Sequence, residues 1–165
     1  VPYNYNAHYD IEELGECIDY VVIMCYDEHY AGSEEGSVAS IDYVKRGISE
    51  ASSAMDSDRV IIALPFYTRV WITGADGKTR SEALSVQTAL NWVAQKSVQL
   101  EWQEDLGQNY GEITDGTEVK KVWMEDDQSM QRKVDCVQEA GCAGVAGWKL
   151  GQEPQSFWSI LNLNN

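Results

Sequence analysis

The residues best placed for chemistry are four consecutive polar side chains, Tyr-Asp-Glu-His at positions 26–29. They follow the apolar run 21–25 (Val-Val-Ile-Met-Cys), whose β-branched residues predict a strand buried on both faces. In parallel α/β sheets, ligands bind at the carboxyl ends of the strands, where a rigid strand holds the side chains. A phenol, two carboxylates and an imidazole at such an end predict a ligand site, with ordinary solvated polarity at a strand end as the alternative.

Two further apolar strands are predicted, and each is followed by candidate residues. The run 60–64 (Val-Ile-Ile-Ala-Leu) ends in Pro-Phe-Tyr-Thr-Arg at 65–69. The third strand, 142–148, contains glycines and alanines that allow neighbouring strands to approach closely. Between the first two strands, Ser40 is a plausible N-cap for a helix reaching about Met55. Strand, helix and strand in this order predict parallel pairing through a right-handed crossover.

The pattern between the second and third strands is different. Residues 72–78 predict a turn-rich excursion, residues 81–95 have helical periodicity, and residues 100–123 predict short strands. Asp115-Gly116 is a hairpin signal within those strands. This stretch is therefore interpreted as a small antiparallel α+β insert.

Three more helices are predicted outside the insert. Asp10 caps a short helix through Glu16, with Ile11 and Leu14 facing inward, and residues 1–9 could be the exit of a preceding strand. A helix begins at Asp127 and ends at Gly141. Pro154 suits the first turn of a last helix, whose inward residues are Phe157, Ile160 and Leu161.

Composition limits the classes of partner. The 165 residues are 44% hydrophobic and include six Trp and nine Tyr, which is enough for one domain with a sizeable core. The 27 acidic and 12 basic residues give a net charge of −15, which disfavours nucleic acid and anionic membranes as partners. A neutral ligand such as a sugar is indifferent to that charge. No apolar stretch is long enough to predict a membrane span.

The cysteines and histidines do not predict a metal site. Cys17, Cys25, Cys136 and Cys142 lack the paired CxxC spacing and are interpreted as small hydrophobic side chains with free thiols, a disulfide remaining open. The two histidines cannot hold a metal by themselves, and His29 is interpreted as a loop hydrogen-bonder. The chain opens at Val1 without a signal-peptide pattern, so we interpret its start as a cut inside a longer protein.

Taken together, the three strand ends resemble the C-terminal half of a glycoside hydrolase family 18 barrel, the chitinase-type fold. The resemblance rests on residues 24–27 (Met-Cys-Tyr-Asp), 65–69 and 144–151 (Gly-Val-Ala-Gly-Trp-Lys-Leu-Gly), with the insert between the second and third motifs. Residues 27–33 and 122–126 resemble the bacterial branch that includes spore-cortex peptidoglycan hydrolases. The resemblance runs from about Tyr9 to the end of the chain.

This resemblance implies an α/β fold containing about strands 6–8 of a (β/α)8 TIM barrel. The barrel parts would be residues 1–70, from the end of strand 5 to strand 7, and residues 126–165, from helix 7 to helix 8. Residues 71–125 would be the family's α+β insertion domain.

The resemblance also implies a retaining, substrate-assisted mechanism on N-acetylglucosamine-containing glycans. In that mechanism a Glu protonates the glycosidic oxygen, and the 2-acetamido carbonyl of the sugar attacks the anomeric carbon. Tyr26 would contact the acetamide oxygen, and Asp27 would anchor the acetamide and the −1 sugar. The substrate-binding residues would be Met24 on the pocket floor, Trp148 under the −1 sugar, Arg69 toward sugar hydroxyls or acetamide groups, and Tyr67 packed nearby. Trp71, Trp123 and Asp126 could also reach the cleft. No cofactor and no metal is implied.

The motif that carries the acid in this family, Asp-x-x-Asp-x-Asp-x-Glu, does not occur in the 165 residues. The chain alone is therefore expected to be inactive, and three hypotheses stay open: the substrate-binding half of a hydrolase, a non-catalytic glycan-binding protein, or a pure interaction module that binds no chito-oligosaccharide. The expected partners are an N-acetylglucosamine oligosaccharide and either the N-terminal half of the same barrel or a second copy, without nucleic acid or membrane. The resemblance implies an extracellular, cell-envelope or spore location, and leaves chitin and peptidoglycan undistinguished.

Overall fold

The computed structural model describes residues 9–161, so the prediction of a preceding strand over residues 1–9 lies almost wholly outside the described residues. The elements in chain order are α1 Ile11–Gly15, β1 Val21–Met24, α2 Ile41–Ala54, β2 Val60–Pro65, β3 Tyr67–Thr73, β4 Thr79–Ser85, α3 Val86–Lys96, β5 Leu100–Gln103, β6 Gln108–Asp115, β7 Glu118–Met124, α4 Asp127–Glu139, β8 Gly144–Trp148 and α5 Phe157–Ile160. They form a three-stranded sheet in the order β1-β2-β8 and a five-stranded sheet in the order β4-β3-β7-β6-β5.

The three-stranded sheet is parallel throughout, as the sequence predicts. Val21 pairs with Val60 at one end, and Pro65 pairs with Trp148 at the other. Helix α2 connects β1 to β2 and buries the predicted stripe of Ile41, Val44, Ile48 and Ala51. The carboxyl ends of the three strands therefore lie along one edge of this sheet.

Helices cover one face of the parallel sheet. The side chains of Ile62 and Leu64 are buried against α2 and α4, together with Val44 and Val134. On the opposite face, Val22 is 52% exposed and Met24 is 61% exposed. The prediction that β1 is buried on both faces is therefore wrong for the described residues, because α2 and α4 pack on the same side of the sheet.

The five-stranded sheet is antiparallel and has its own small core. Val70, Ile72, Ala89, Val122 and Met124 are buried between the strands and α3. The predicted hairpin is present, since β6 and β7 pair up to Asp115 and Glu118 and Gly116 has a φ of 65°. A positive φ suits a glycine in such a turn.

The predicted helix over residues 81–95 is wrong at its start. Residues 79–85 form β4, which pairs with β3 from Tyr67–Ser85 to Thr73–Thr79, and the helix begins only at Val86. The Ser85 hydroxyl caps it by accepting a hydrogen bond from the Thr88 amide at 3.2 Å. The pairing with β3 outweighs the local periodicity, and most of the residues 67–73 that form β3 were not predicted as a strand.

The predicted helix after Asp127 is confirmed, and a buried ion pair joins it to the antiparallel sheet. The Lys133 ammonium, on α4, donates to the Glu125 carboxylate at 2.6 Å, and both side chains are 0% exposed. Gln108 and Ser129 donate to the same carboxylate at 2.7 Å and 3.0 Å. Burial raises the pKa of Glu125 to about 7, although the charge of Lys133 opposes this shift.

Close packing restricts strand β8. A Cβ added to Gly147 would lie 2.0 Å from Cζ of Phe66, so the tip of the Phe66 ring packs directly against Gly147 of β8. The ring of Phe66 also packs edge-on against Phe157 of α5, with centroids 5.7 Å apart. The predicted inward position of Phe157 is thus confirmed.

Two smaller predictions have different outcomes. Leu14 is 41% exposed, so its predicted inward position is wrong, while the cap of α1 by Asp10 is confirmed by a 3.0 Å bond from the Glu13 amide.

All four cysteines are free thiols, and burial raises the pKa of Cys25 to about 12. No helix among residues 9–161 is long and apolar enough to cross a membrane. The boundaries of the proposed insertion domain stay a prediction, and the antiparallel sheet itself runs from Tyr67 to Met124.

Candidate active site

Three of the predicted aromatic residues meet at the carboxyl edge of the parallel sheet. The Trp148 and Tyr26 rings are stacked, with centroids 6.2 Å apart and an interplanar angle of 22°. Tyr67 meets Tyr26 edge-on, with centroids 6.3 Å apart and an angle of 74°. Tyr26 follows β1, Trp148 ends β8, and Tyr67 begins β3 just after the end of β2. The order β1-β2-β8 in the parallel sheet therefore brings these residues together.

Asp27 is tied to this aromatic cluster. The Tyr67 hydroxyl donates a hydrogen bond to Asp27 Oδ1, so one carboxylate oxygen of Asp27 is occupied by the phenol. Asp27 itself is exposed, and its φ of 58° lies in the left-handed region, which is uncommon for a residue other than glycine. The side chain is thereby held at the cleft rather than free in solvent.

Both phenols of the cluster remain protonated over the physiological range. Burial raises the pKa of Tyr67 above its usual value, and the hydrogen bond to Asp27 raises it further. Burial also raises the pKa of Tyr26, and the negative charge of Asp27 adds to the shift. Tyr26 can therefore act as a hydrogen-bond donor to a bound acceptor.

Met24 and Arg69 each share a strand face or sheet face with a member of the cluster. Met24 pairs with Ala63, which pairs with Ala146, so Met24 and Trp148 project from the same face of the parallel sheet. Arg69 lies two residues after Tyr67 on β3, and therefore on the same face of that strand. Its Nη1 donates to Ser81 Oγ at 3.1 Å, and its buried Nε has no partner among the described residues.

Trp71, Trp123 and Asp126, the three weaker candidates predicted from the sequence, have different surroundings in the structure. Trp71 is 2% exposed and donates its indole N–H to the Gly36 carbonyl at 2.8 Å, so the prediction that it reaches the cleft is wrong. Asp126 caps α4, accepting from the Ser129 amide at 3.0 Å, and it also accepts from Asn109 at 2.8 Å. Trp123 packs against Tyr110, with ring centroids 4.9 Å apart.

Glu28 and His29, the other polar residues of the first motif, turn away from the cluster. The Glu28 carboxylate accepts two hydrogen bonds from Ser40, one from the amide at 2.7 Å and one from the hydroxyl at 3.0 Å. His29 Nδ1 lies 3.0 Å from the Glu34 carbonyl, which confirms the prediction of a loop hydrogen-bonder. The sequence marks Ser40 as a cap but gives no sign that its partner lies 12 positions earlier.

No group of three or more His, Cys, Asp or Glu side chains is arranged to hold a metal within residues 9–161. The donors and acceptors at the carboxyl edge are instead phenols, an indole face, a guanidinium and one carboxylate. This set suits a neutral polar ligand with an apolar face, such as a sugar ring.

The parallel sheet carries aromatic and carboxylate side chains at its carboxyl edge, and an antiparallel insert separates its second and third strands. These features are typical of part of an α/β barrel that binds its ligand at the carboxyl ends of the strands. The sequence profile of glycosyl hydrolases family 18 matches residues 1–153, and the chain belongs to this family. The family and the partial-barrel fold predicted from the sequence are both confirmed.

Individual relatives agree with this assignment. The Bacillus subtilis protein YdhD is 31% identical over 143 residues, covering 86% of this chain and 34% of YdhD. The cortical fragment-lytic enzyme of Bacillus subtilis is 28% identical over 160 residues, covering 96% of this chain and 37% of the enzyme. The chain thus spans about a third of the length of these two relatives.

Solved structures show the same fold. The spore cortex-lytic enzyme SleL of Bacillus megaterium is 28% identical with a TM-score of 0.81, over 92% of this chain and 35% of SleL. A chitinase from Chromobacterium violaceum has a TM-score of 0.85 at 22% identity, over 96% of this chain and 51% of the chitinase, and supports the fold alone.

Proposed function

We propose that this chain supplies the substrate-holding part of a retaining glycoside hydrolase that acts on N-acetylglucosamine-containing glycans. The observation that carries the proposal is the contact cluster of Tyr26, Asp27, Tyr67 and Trp148 at the carboxyl edge of the parallel sheet. Membership of family 18 and the names of the relatives agree with it.

In the proposed reaction, the carbonyl oxygen of the sugar's 2-acetamido group attacks the anomeric carbon. The acetamide then carries developing positive charge, and a cyclic oxazolinium intermediate forms with later retention of configuration. Tyr26, a phenol that stays protonated, donates to the acetamide oxygen and orients it for attack. Asp27, held by Tyr67, places negative charge beside the acetamide as its positive charge develops.

The remaining candidates hold the sugar. Trp148 lies beside Tyr26 and is 54% exposed, so part of its indole surface is available for stacking of the −1 sugar. Met24 adds an exposed apolar side chain on the same sheet face. The Arg69 guanidinium, bonded at one nitrogen to Ser81, has donors left for hydroxyl or acetamide oxygens. Protonation of the leaving group is assigned to a Glu outside these 165 residues.

The names of the relatives favour a spore or cell-envelope location and a peptidoglycan substrate over chitin. One relative is a cortical fragment-lytic enzyme, and another is a spore cortex-lytic enzyme. The net charge of −15 disfavours strongly anionic polymers and does not by itself distinguish peptidoglycan from chitin.

A structural partner is also proposed. Val22, Met24 and Trp148 leave an apolar, exposed face on the parallel sheet, and such a face is normally covered by another element. The N-terminal half of the same barrel is the favoured partner, because it would also bring the catalytic Glu, and a second copy is the alternative. Light scattering and mass spectrometry of the purified chain test this, and a monodisperse 18.5 kDa monomer would contradict it.

The function is tested by two measurements on the whole protein that carries this chain. Calorimetry with an N-acetylglucosamine tetramer should show binding that Trp148→Ala weakens and that Trp158→Ala leaves unchanged, since Trp158 lies on α5 and packs against Phe66, which is not a member of the cluster. Proton NMR of the freshly released product should show the anomeric configuration of the substrate. Binding without turnover would favour the non-catalytic glycan-binding protein, and the absence of both would reject the proposal.

A further inference from the structure

We infer that Glu28 is a positioning residue, which holds the backbone of Asp27 in the conformation that brings the Asp27 carboxylate to the site. The inference rests on the role of Asp27 under the proposed function. Two adjacent carboxylates would then have different tasks, one facing the ligand and the other closing the loop behind it.

The first observation is that Glu28 closes the loop between β1 and α2. Both of its carboxylate oxygens are used by Ser40, one by the amide at 2.7 Å and one by the hydroxyl at 3.0 Å. The backbone closes at the same place, because the Glu28 amide donates to the Val38 carbonyl at 3.0 Å and the His29 amide to the Ser37 carbonyl at 3.2 Å. The start of the loop is thus fastened to its end.

The second observation is that this end of the loop is rigid. Residues 36–41 are buried, and Ser40 is the N-cap of α2, accepting from the Tyr43 amide at 3.2 Å. Helix α2 in turn packs into the main core through Val44 and Ile48. Glu28 is therefore anchored to the body of the protein rather than to another part of a surface loop.

The third observation is the backbone of Asp27. Its φ of 58° is unfavourable for a residue with a Cβ and persists only where neighbouring groups hold it. Asp27 is held on one side by the Tyr67 hydroxyl and on the other by Glu28, the next residue in the chain. If the anchor at Glu28 is lost, Asp27 can relax to an ordinary φ, and its carboxylate then moves away from Tyr67.

Removing the anchor should therefore lower turnover through Asp27. In the whole protein, Glu28→Ala should reduce kcat by about 10- to 100-fold, since a shift of about 1 Å in a reacting group can cost on the order of 10²-fold. Glu28→Gln should restore most of the activity, because its amide oxygen can accept from the Ser40 amide and its NH2 can donate to the Ser40 hydroxyl.

A double-mutant cycle separates positioning from a general loss of stability. On an Asp27→Asn background, Glu28→Ala should change kcat by no more than about twofold, because the group that it positions is already impaired. Asp10→Ala is the matched control, since it removes the carboxylate cap of α1 and should leave kcat unchanged. If Glu28→Ala does not fold, Ser40→Gly replaces it in the cycle, because it removes the hydroxyl bond to Glu28 while glycine remains an acceptable N-cap for α2.

The outcomes decide the inference. Non-additive effects with rescue by Glu28→Gln support it, whereas additive effects, or an equal loss of kcat in Asp10→Ala, overturn it. If the unmutated protein has no turnover, the proposed function fails, and the positioning role of Glu28 is then tested only by the φ angle of Asp27. NMR couplings that show Asp27 leaving the left-handed region in Glu28→Ala then support the claim, and an unchanged φ overturns it.

Discussion

The two sheets of this chain use their faces differently. The parallel sheet buries one face under α2 and α4 and leaves Val22, Met24 and Trp148 exposed on the other. The antiparallel sheet encloses its own core with α3 and carries ion pairs along its hairpin, where Asp115 Oδ2 lies 2.8 Å from Lys96 and 2.9 Å from Lys120. The proposed site lies where the sheets meet, since Asp27 follows β1 and Tyr67 begins β3. Changes to the antiparallel sheet should thus affect stability first, and changes at the parallel edge should affect turnover first.

The largest effect on stability is expected at the buried ion pair that joins the antiparallel sheet to α4. Lys133→Met leaves the Glu125 carboxylate buried without its cation and should lower the free energy of unfolding by about 3–5 kcal/mol. Chemical denaturation measures this loss. The double variant Glu125→Leu with Lys133→Met is the control and should regain most of the stability, and equal losses in the two variants would contradict the prediction.

The same pair gives a pH dependence. Because burial raises the pKa of Glu125 from 4.5 to about 7, the folded protein binds this proton more tightly than the unfolded chain does. The tighter binding of this proton contributes to the free energy of unfolding below about pH 4.5, and the contribution is lost as the pH rises through about 7. Near pH 5 the Glu125 carboxyl is protonated and needs no cation beside it, whereas near pH 8 it is charged. The stability loss in Lys133→Met should therefore be smaller near pH 5 than near pH 8, and denaturation curves at the two pH values test this.

At the parallel edge, Tyr26→Phe should affect turnover rather than stability. Tyr26→Phe removes the bond that orients the acetamide oxygen for attack, and misplacing a reacting group in this way can cost on the order of 10²-fold in kcat. Steady-state kinetics of the whole protein, with the melting temperature as the control for folding, measures the effect. A change confined to KM would mean that Tyr26 does not contact the acetamide.

A smaller effect is expected where the loop after β1 meets the antiparallel sheet. Trp71→Phe removes the bond to the Gly36 carbonyl and leaves that buried acceptor unpaired, which should cost about 1–3 kcal/mol of stability. Oligosaccharide binding should be unchanged once the variant is folded, because Trp71 is buried away from the cleft. Calorimetry would refute the distinction between the sheets if affinity fell in parallel with stability.

The smallest effect concerns the ionisation of Tyr26. Since burial and the charge of Asp27 raise the pKa of this phenol above 10, it loses its proton only at a pH above that value. The pH profile of kcat should therefore show no alkaline decline that belongs to Tyr26 below about pH 10. A decline near neutral pH that disappears in Tyr26→Phe would contradict the assignment.

The sequence predicts the parallel half of the fold well, because its signals are local. The apolar runs of β1 and β2, the cap at Ser40 and the helix after Asp127 can all be recognised within a few residues. The strand ends then indicate which side chains share an edge. The contact of Tyr26 with Trp148 follows from strand order in this way.

The parts that were not predicted depend on distant residues. Strand β4 exists because β3 pairs with it, and its own sequence resembles the start of a helix. The exposure of Met24 depends on which face the helices cover, and an apolar run does not specify this. Glu28 has its partner 12 residues away, so its closing of the loop could not be read from the motif.

The packing of Phe66 on Gly147 has a consequence for how this family can vary. A methyl group at position 147 would overlap the ring by more than small shifts can relieve, so the two positions are expected to change together in related sequences. A side chain larger than hydrogen at 147 should appear only with a smaller residue at 66. Covariation of positions 66 and 147 would therefore mark the end of the strand that carries Trp148 in distant homologues whose motifs have diverged.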